Sequence, residues 1–310
     1  MKPLAMRDVL LEKIWQEMSL DSLIFFVSAD FGSPVLDKIR RDFPDRFINV
    51  GIAEQNLINI TAGLAIEGYK VFAYAIAPFI TMRCYEQIRV SLALLSEVRP
   101  MNVNLIGVGA GYSYVVSGPT HQCYEDITIM RALPNFQVLS PADHVTTSSL
   151  FEDCVTTNGL RYFRLDAQVQ PVLYTLDLPS TTDGFHFHQK GEKVCFIATG
   201  FMTHTAFKVA EEINKIGFKV GIIDIFNLTN FSKEGLKKVL ESYLAIVSFE
   251  EGFRGRGGLD SMLFEFIAES KLNLKTLSIG VDPGYSFELG SRNELHEKVG
   301  IGNKSAMKKI

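Results

Sequence analysis

The segment Asn49-Val50-Gly51-Ile52-Ala53-Glu54-Gln55-Asn56 sets one carboxylate, Glu54, where an apolar strand gives way to a buried helix. A carboxyl group there can meet a ligand at the sheet edge or complement the dipole of the helix that follows. The elements that must position it are legible in the spacing. Phe47 to Val50 reads as a strand, and Gly51 makes the turn. Leu57, Ile60, Thr61 and Leu64 then fall on one helical face, which predicts a helix from Ala53 to Glu67 with Gly68 as its stop. Glu54 sits in the first turn of that helix, beside the carboxyl edge of the strand, where open α/β sheets bind ligands. The same residue also complements the helix dipole, an effect of roughly 0.3–1 kcal/mol.

The Glu54 unit belongs to an alternating series. Strands are expected at Leu23 to Ser28, Val71 to Ala75, Asn102 to Gly107 and Gln137 to Ser140. Helices are expected at Val35 to Asp42, Thr81 to Leu95, Glu125 to Ala132 and Ala142 to Thr157, with a long loop from Val108 to Gln122. Continuous apolar strands alternating with helices argue a parallel sheet covered on both faces. From Gln168 to Lys190 the pattern breaks, and Gln-Pro, Leu-Pro-Ser and Thr-Asp-Gly read as a linker. The pair His186 and His188 falls in it with no cysteine nearby, so it reads as solvated and not as a metal pair. A second α/β series follows, with strands at Val194 to Thr199, Lys219 to Asp224, Leu244 to Phe249 and Thr276 to Ile279. Its helices are Thr203 to Lys215, Phe231 to Leu240 and Asp260 to Ser270. The fold class is therefore α/β with two doubly wound, largely parallel domains, placed at 1–175 and 192–310 around a linker at 176–191.

Size and composition bound the rest. The chain has 310 residues, a net charge of −4 and a pI of about 5.9, so it offers no basic field for nucleic acid or an anionic membrane. Cys84, Cys123, Cys154 and Cys195 are far apart, with no C-x-x-C, as reduced cytosolic thiols would be. The N-terminal residues carry no hydrophobic signal region. The apolar run Val71 to Met82 is shorter than the roughly 20 residues a bilayer span takes. The chain reads as cytoplasmic.

The words around Glu54 carry a resemblance. N-x-G-I-A-E-Q-N, followed by a small-residue helix, is similar to the pyrimidine-binding domain of transketolase-like thiamine diphosphate enzymes. Further along, Phe79-x-x-x-Arg83-x-Tyr85-Glu86-Gln87-Ile88, Ser117-Gly118-Pro119-Thr120-His121-Gln122 and the segment from Met130 to Asp143 resemble that family in order. Phe249-Glu250-Glu251-Gly252, Gly257-Gly258-Leu259 and Phe287-x-x-Gly290-Ser291-x-x-Glu294-Leu295 resemble its C-terminal domain.

The resemblance implies chemistry residue by residue. The cofactor works through a carbanion at C2 of its thiazolium ring. Glu54 matches the glutamate that hydrogen-bonds the aminopyrimidine and favours the imino tautomer that takes the C2 proton. Phe79 matches an aromatic wall of that ring, and Ile76 stands where transketolases carry another aromatic. His121 matches the histidine facing the reacting carbon. Asp30, Ser117, His121 and Arg164 fall on the substrate side. The family's G-D-G diphosphate and Mg²⁺ motif does not occur here. The resemblance therefore implies the C-terminal subunit of a split transketolase, sharing thiamine diphosphate with an N-terminal subunit that holds Mg²⁺, in an α2β2 assembly containing a dimer of this chain. Three departures point to a specialised sugar: Ser117 for an aspartate, Gly109 for a substrate histidine and Ala167 for a phosphate-binding arginine. The alternatives are a deoxyxylulose-phosphate-synthase-like or 2-oxoacid dehydrogenase β-type subunit, and a non-catalytic α/β assembly subunit.

Overall fold

The computed structural model describes residues 2–30, 32–175 and 180–310. The first sheet has six parallel strands in the order β2-β1-β3-β4-β6-β5. They are β1 (Ile24–Ser28), β2 (Phe47–Asn49), β3 (Lys70–Ile76), β4 (Asn102–Val108), β5 (Phe136–Leu139) and β6 (Gly159–Leu165). The central strand β4 is buried along its whole length, as expected where helices cover both faces. In register, Ser28 pairs with both Asn49 and Tyr74, and Ile76 pairs with Val108. The carboxyl ends of β1, β2, β3 and β4 therefore share one edge.

Three helices frame that edge. Helix α1 (Met6–Leu20) buries Met6, Leu10, Leu11, Ile14 and Met18 against the sheet. Helix α2 (Pro34–Asp42) starts at Ser33, whose hydroxyl accepts from the Val35 amide, with Pro34 at its first position. Helix α3 (Glu54–Ile66) buries Leu57, Ile58, Thr61, Ala62 and Ala65. The helix expected from Thr81 to Leu95 is instead two π-helical stretches, Phe79–Arg83 and Ile88–Leu94, around a short α segment at Tyr85–Gln87. The expected helix from Ala142 to Thr157 divides into His144–Ser149 and Phe151–Thr156, and Asp143 caps the first through the Val145 and Thr146 amides.

The second sheet runs β11-β10-β8-β9-β7. Its strands are β7 (Phe185–Gln189), β8 (Val194–Ala198), β9 (Gly221–Ile225), β10 (Ala245–Phe253) and β11 (Lys275–Val281). All are parallel except β7, which pairs antiparallel with β9. This corrects the linker expected at 176–191, because its residues 185–189 form an edge strand; residues 176–179 lie outside the described residues. His186 and His188 are likewise not solvated. They are half-buried, with ring centroids 5.1 and 4.8 Å from that of Tyr174. Burial, with His186 and His204 close by, pushes the His188 imidazole down to about 3.

The segment Glu250-Glu251-Gly252 with Gly257-Gly258-Leu259 turns out to be architecture. Glu250 accepts from the Leu259 and Asp260 amides at 3.0 and 2.9 Å, at the start of the helix Leu259–Ser270. A Cβ at residue 258 would lie 2.1 Å from the Glu250 carboxylate, so only glycine fits there. The four cysteines are free and buried. Among the described residues, no helix is long and apolar enough to cross a membrane.

Candidate active site

The shared carboxyl edge of β1 to β4 gathers most of the expected site residues. Asn49, at the end of β2, links two loops. Its Oδ1 accepts from the Asp30 and Gly51 amides at 3.1 and 3.0 Å, and its Nδ2 donates to Asp30 Oδ1 at 3.0 Å. Asp30 is held at φ 51°, a left-handed conformation that a short polar side chain with a local hydrogen bond tolerates. Gly51 turns the chain at φ 73°, and α3 begins at Glu54.

Glu54 is 3% exposed, and Arg83 Nη1 donates to its Oε2 at 2.6 Å. A buried carboxylate needs such a cation to offset desolvation. Arg83 ends the first π-helical stretch, a geometry that recurs at functional sites. Its guanidinium lies 4.3 Å over the Phe79 ring, and Phe79 meets the His121 ring edge-on at 5.2 Å. Glu54, Arg83, Phe79 and His121 therefore form one continuous set. Ile76, the last residue of β3, is half-buried three positions before Phe79. His121 Nδ1 is 3.0 Å from the Thr120 hydroxyl, and Ser117 is exposed on the same loop.

Arg164 does not join this set. It lies on β6, buried, and its Nε donates to Asp126 at 2.8 Å while Nη2 reaches the Cys123 and Glu251 carbonyls at 3.3 Å. Its placement gives it an internal partner in place of the substrate role expected of it. Arg7 on α1, which no motif of the sequence marks, is half-buried and paired through Nε with Asp8 at 2.8 Å, and its charge favours the ionised form of the Tyr114 phenol. The signal is present, since Arg7 stands between Met6 and Leu10 of a helical apolar stripe.

The residues fit half of a thiamine diphosphate site. A buried carboxylate at a helix start beside a half-open aromatic face suits an aminopyrimidine ring. No glycine-rich diphosphate motif accompanies it. The described residues contain no cluster of three His, Cys, Asp or Glu suited to a metal ion.

Comparison with known proteins places this geometry. Residues 2–170 match the transketolase pyrimidine-binding domain, and residues 185–305 match the transketolase C-terminal domain. The chain is 29% identical to an apulose-4-phosphate transketolase subunit of Actinobacillus succinogenes, over 84% of this chain and 82% of that protein. It is 26% identical to a 6-deoxy-6-sulfo-D-fructose transketolase subunit of a Clostridium species, over 98% of this chain and 92% of that one. A solved structure described as a split gene transketolase, inactive beta4 tetramer, superposes with a TM-score of 0.85 at 27% identity, covering 99% of this chain and 97% of that one.

Proposed function

The chain belongs to the transketolase family, and on that premise we propose that it is the C-terminal subunit of a split transketolase that moves a two-carbon ketol unit between sugars. The observation that carries this reading is the continuous set Glu54, Arg83, Phe79 and His121 on one sheet edge. Transketolases depend on thiamine diphosphate, which supplies the carbanion chemistry when bound.

Every other step falls to protein groups. Glu54 holds a proton against a ring nitrogen of the aminopyrimidine, in a pocket that excludes water from its carboxyl. Phe79 and Ile76 wall the ring by dispersion and edge contacts. Arg83 neutralises the Glu54 carboxylate while no pyrimidine is there. His121 stabilises the developing oxyanion or carries a proton at the reacting carbon. Asp30 and Ser117 line the substrate side. The diphosphate and Mg²⁺ belong to an N-terminal partner subunit, and two copies of each chain make an α2β2 enzyme in the cytoplasm. Exposed Val116, Phe287 and Leu289, at 76%, 81% and 59%, form an apolar lip suited to such a partner, with a Cβ at residue 118 reaching within 3.9 Å of Leu289.

The substrate is a specialised sugar. Ala167 and Gly109 supply neither guanidinium nor imidazole, and Arg164 is committed to Asp126. Relatives named for apulose 4-phosphate and for 6-deoxy-6-sulfofructose support a non-standard sugar. The test is calorimetry on the isolated chain, followed by ketol-transfer assays on the assembled complex. Weak cofactor binding alone, and turnover only with a partner carrying the diphosphate motif, are expected. Tight Mg²⁺-dependent binding by this chain alone would overturn the reading.

A further inference from the structure

Tyr114 falls in no motif of the chain, yet its ring fills the space that a side chain at residue 109 would take. Gly109 follows β4 at φ 110°, and a Cβ there would lie 2.2 Å from Tyr114 Cε2 and 2.5 Å from Cδ2. Any side chain at residue 109 and the Tyr114 ring therefore compete for one volume, and glycine is what admits the ring. The half-buried ring stands edge-on to His121 with centroids 6.4 Å apart. Burial pushes its phenol up to about 12, opposed by Arg7 and reinforced by Asp166, so at neutral pH it is a neutral donor. Asp166 is ion-paired with Arg292, and Arg7 with Asp8 through Nε at 2.8 Å.

We propose that Tyr114 is a specificity-determining residue of the ketol transfer: its ring closes the space beyond His121, confining the site to short sugars, and its hydroxyl donates to an anionic group at the sugar's far end. This deepens the reading above and rests on it. The two parts separate by substitution. The ring sets length by excluded volume, and the hydroxyl sets far-end chemistry through one charge-assisted hydrogen bond.

The experiment uses the complex of this chain with its diphosphate-binding partner. It compares kcat/KM for aldose phosphate acceptors of increasing carbon number and for uncharged aldoses of the same lengths. Tyr114→Leu should raise the ratio for five-carbon over three-carbon acceptors about tenfold or more, as expected when a wall is removed. Tyr114→Phe should keep that ratio within about twofold of wild type while raising KM for the phosphorylated acceptors about tenfold, with kcat held, the size of one lost hydrogen bond to a charged group. Gly109→Ala should displace the ring and shift the length ratio as Tyr114→Leu does. Melting temperatures of the variants check that each folds. An unchanged length ratio in Tyr114→Leu at measurable turnover overturns the inference. A wild-type complex that transfers no ketol unit to any aldose overturns the transferase reading itself, and the inference with it.

Discussion

The molecule uses the arginine–glutamate pair in two places, and uses it differently. At the carboxyl edge of the first sheet, Glu54 meets Arg83, with side chains 3% and 44% exposed. At the seam between the sheets, Glu251 meets Arg292, at 1% and 5%. Glu251 accepts from Arg292 Nε and Nη2 at 3.0 and 2.6 Å, from His296 at 2.6 Å and from the Tyr112 amide at 3.3 Å. Arg292 also reaches Asp166, and Phe201 stacks on its guanidinium at 3.6 Å. The seam is saturated and joins residues of both sheet regions, so it fixes how the two halves sit. The edge pair is closed on one side and open on the other, so a ligand can replace one partner. Identical chemistry becomes architecture or site according to how many of its bonds are already made.

The largest expected effect breaks the edge pair on the carboxyl side. Glu54→Gln keeps the shape of the side chain and cannot hold the pyrimidine proton. Turnover of the assembled complex should fall on the order of 10²–10⁴-fold, the usual range for a general acid or base. Exchange of the cofactor C2 proton, followed by NMR, reads the step directly. Wild-type exchange in the variant would leave Glu54 with its dipole role alone.

The seam answers to stability instead of rate. Arg292→Ala leaves Glu251 and Asp166 buried without their shared cation and should cost about 3–5 kcal/mol in denaturant unfolding. Burial alone would raise the Glu251 carboxyl, but Arg292 and His296 more than offset it and hold it well below the usual range. A carboxyl depressed in the folded state contributes stability above its unfolded pKa and loses it as pH falls. Wild-type stability should therefore drop below about pH 4.5, where unfolded glutamate titrates, and the variant should lose less across that range.

A third buried carboxyl works with the opposite sign. Burial pushes Asp224 up to about 7, against hydrogen bonds from the Tyr174 and Thr203 hydroxyls at 2.6 and 3.0 Å. Between about pH 4 and 7 the folded state keeps a proton that the unfolded chain has lost, so stability falls as pH rises, by a few kcal/mol at most. Glu250, which burial also pushes up to about 7, adds to the same slope, so Asp224→Asn should reduce it by about half in urea titrations at pH 5 and 7.5. A variant with the wild-type slope would assign the pH dependence elsewhere.

The sequence carries the edge better than the seam. Strands β1 and β3 are largely apolar runs, and Glu54 follows β2 by the Gly51 turn, so position and chemistry are local. Strand β6 is hidden because Arg161 and Arg164 interrupt its apolar run, although both are buried. Strand β7 is hidden by its two histidines, which pack on Tyr174. The π-helical stretches leave no periodic signature, since a shift from four- to five-residue bonds alters hydrogen bonding without altering composition. The seam joins residues 41 to 139 positions apart, a distance over which spacing says nothing about contact.

The smallest effect sharpens the contrast most directly. Arg83→Ala removes the cation of the edge pair, as Arg292→Ala removes that of the seam. With Arg83 44% exposed, its attraction to Glu54 is weakened by water and by the entropy of a long side chain. Truncating the half-exposed Arg83 side chain opens a path for water to the otherwise buried Glu54 carboxylate, a path that the buried Arg292 would not open to Glu251. The expected loss is about 1 kcal/mol or less, a shift of about 1.5 °C or less in melting temperature for a chain of this size. The ring of Phe79 loses the guanidinium above it, a contact of about 0.5–1 kcal/mol at an exposed site that is already within that loss. The measurement is parallel denaturant unfolding of Arg83→Ala and Arg292→Ala at neutral pH. Equal losses would show that the edge pair is as closed in solution as the seam, and that Glu54 must give up an architectural bond before it can meet a cofactor.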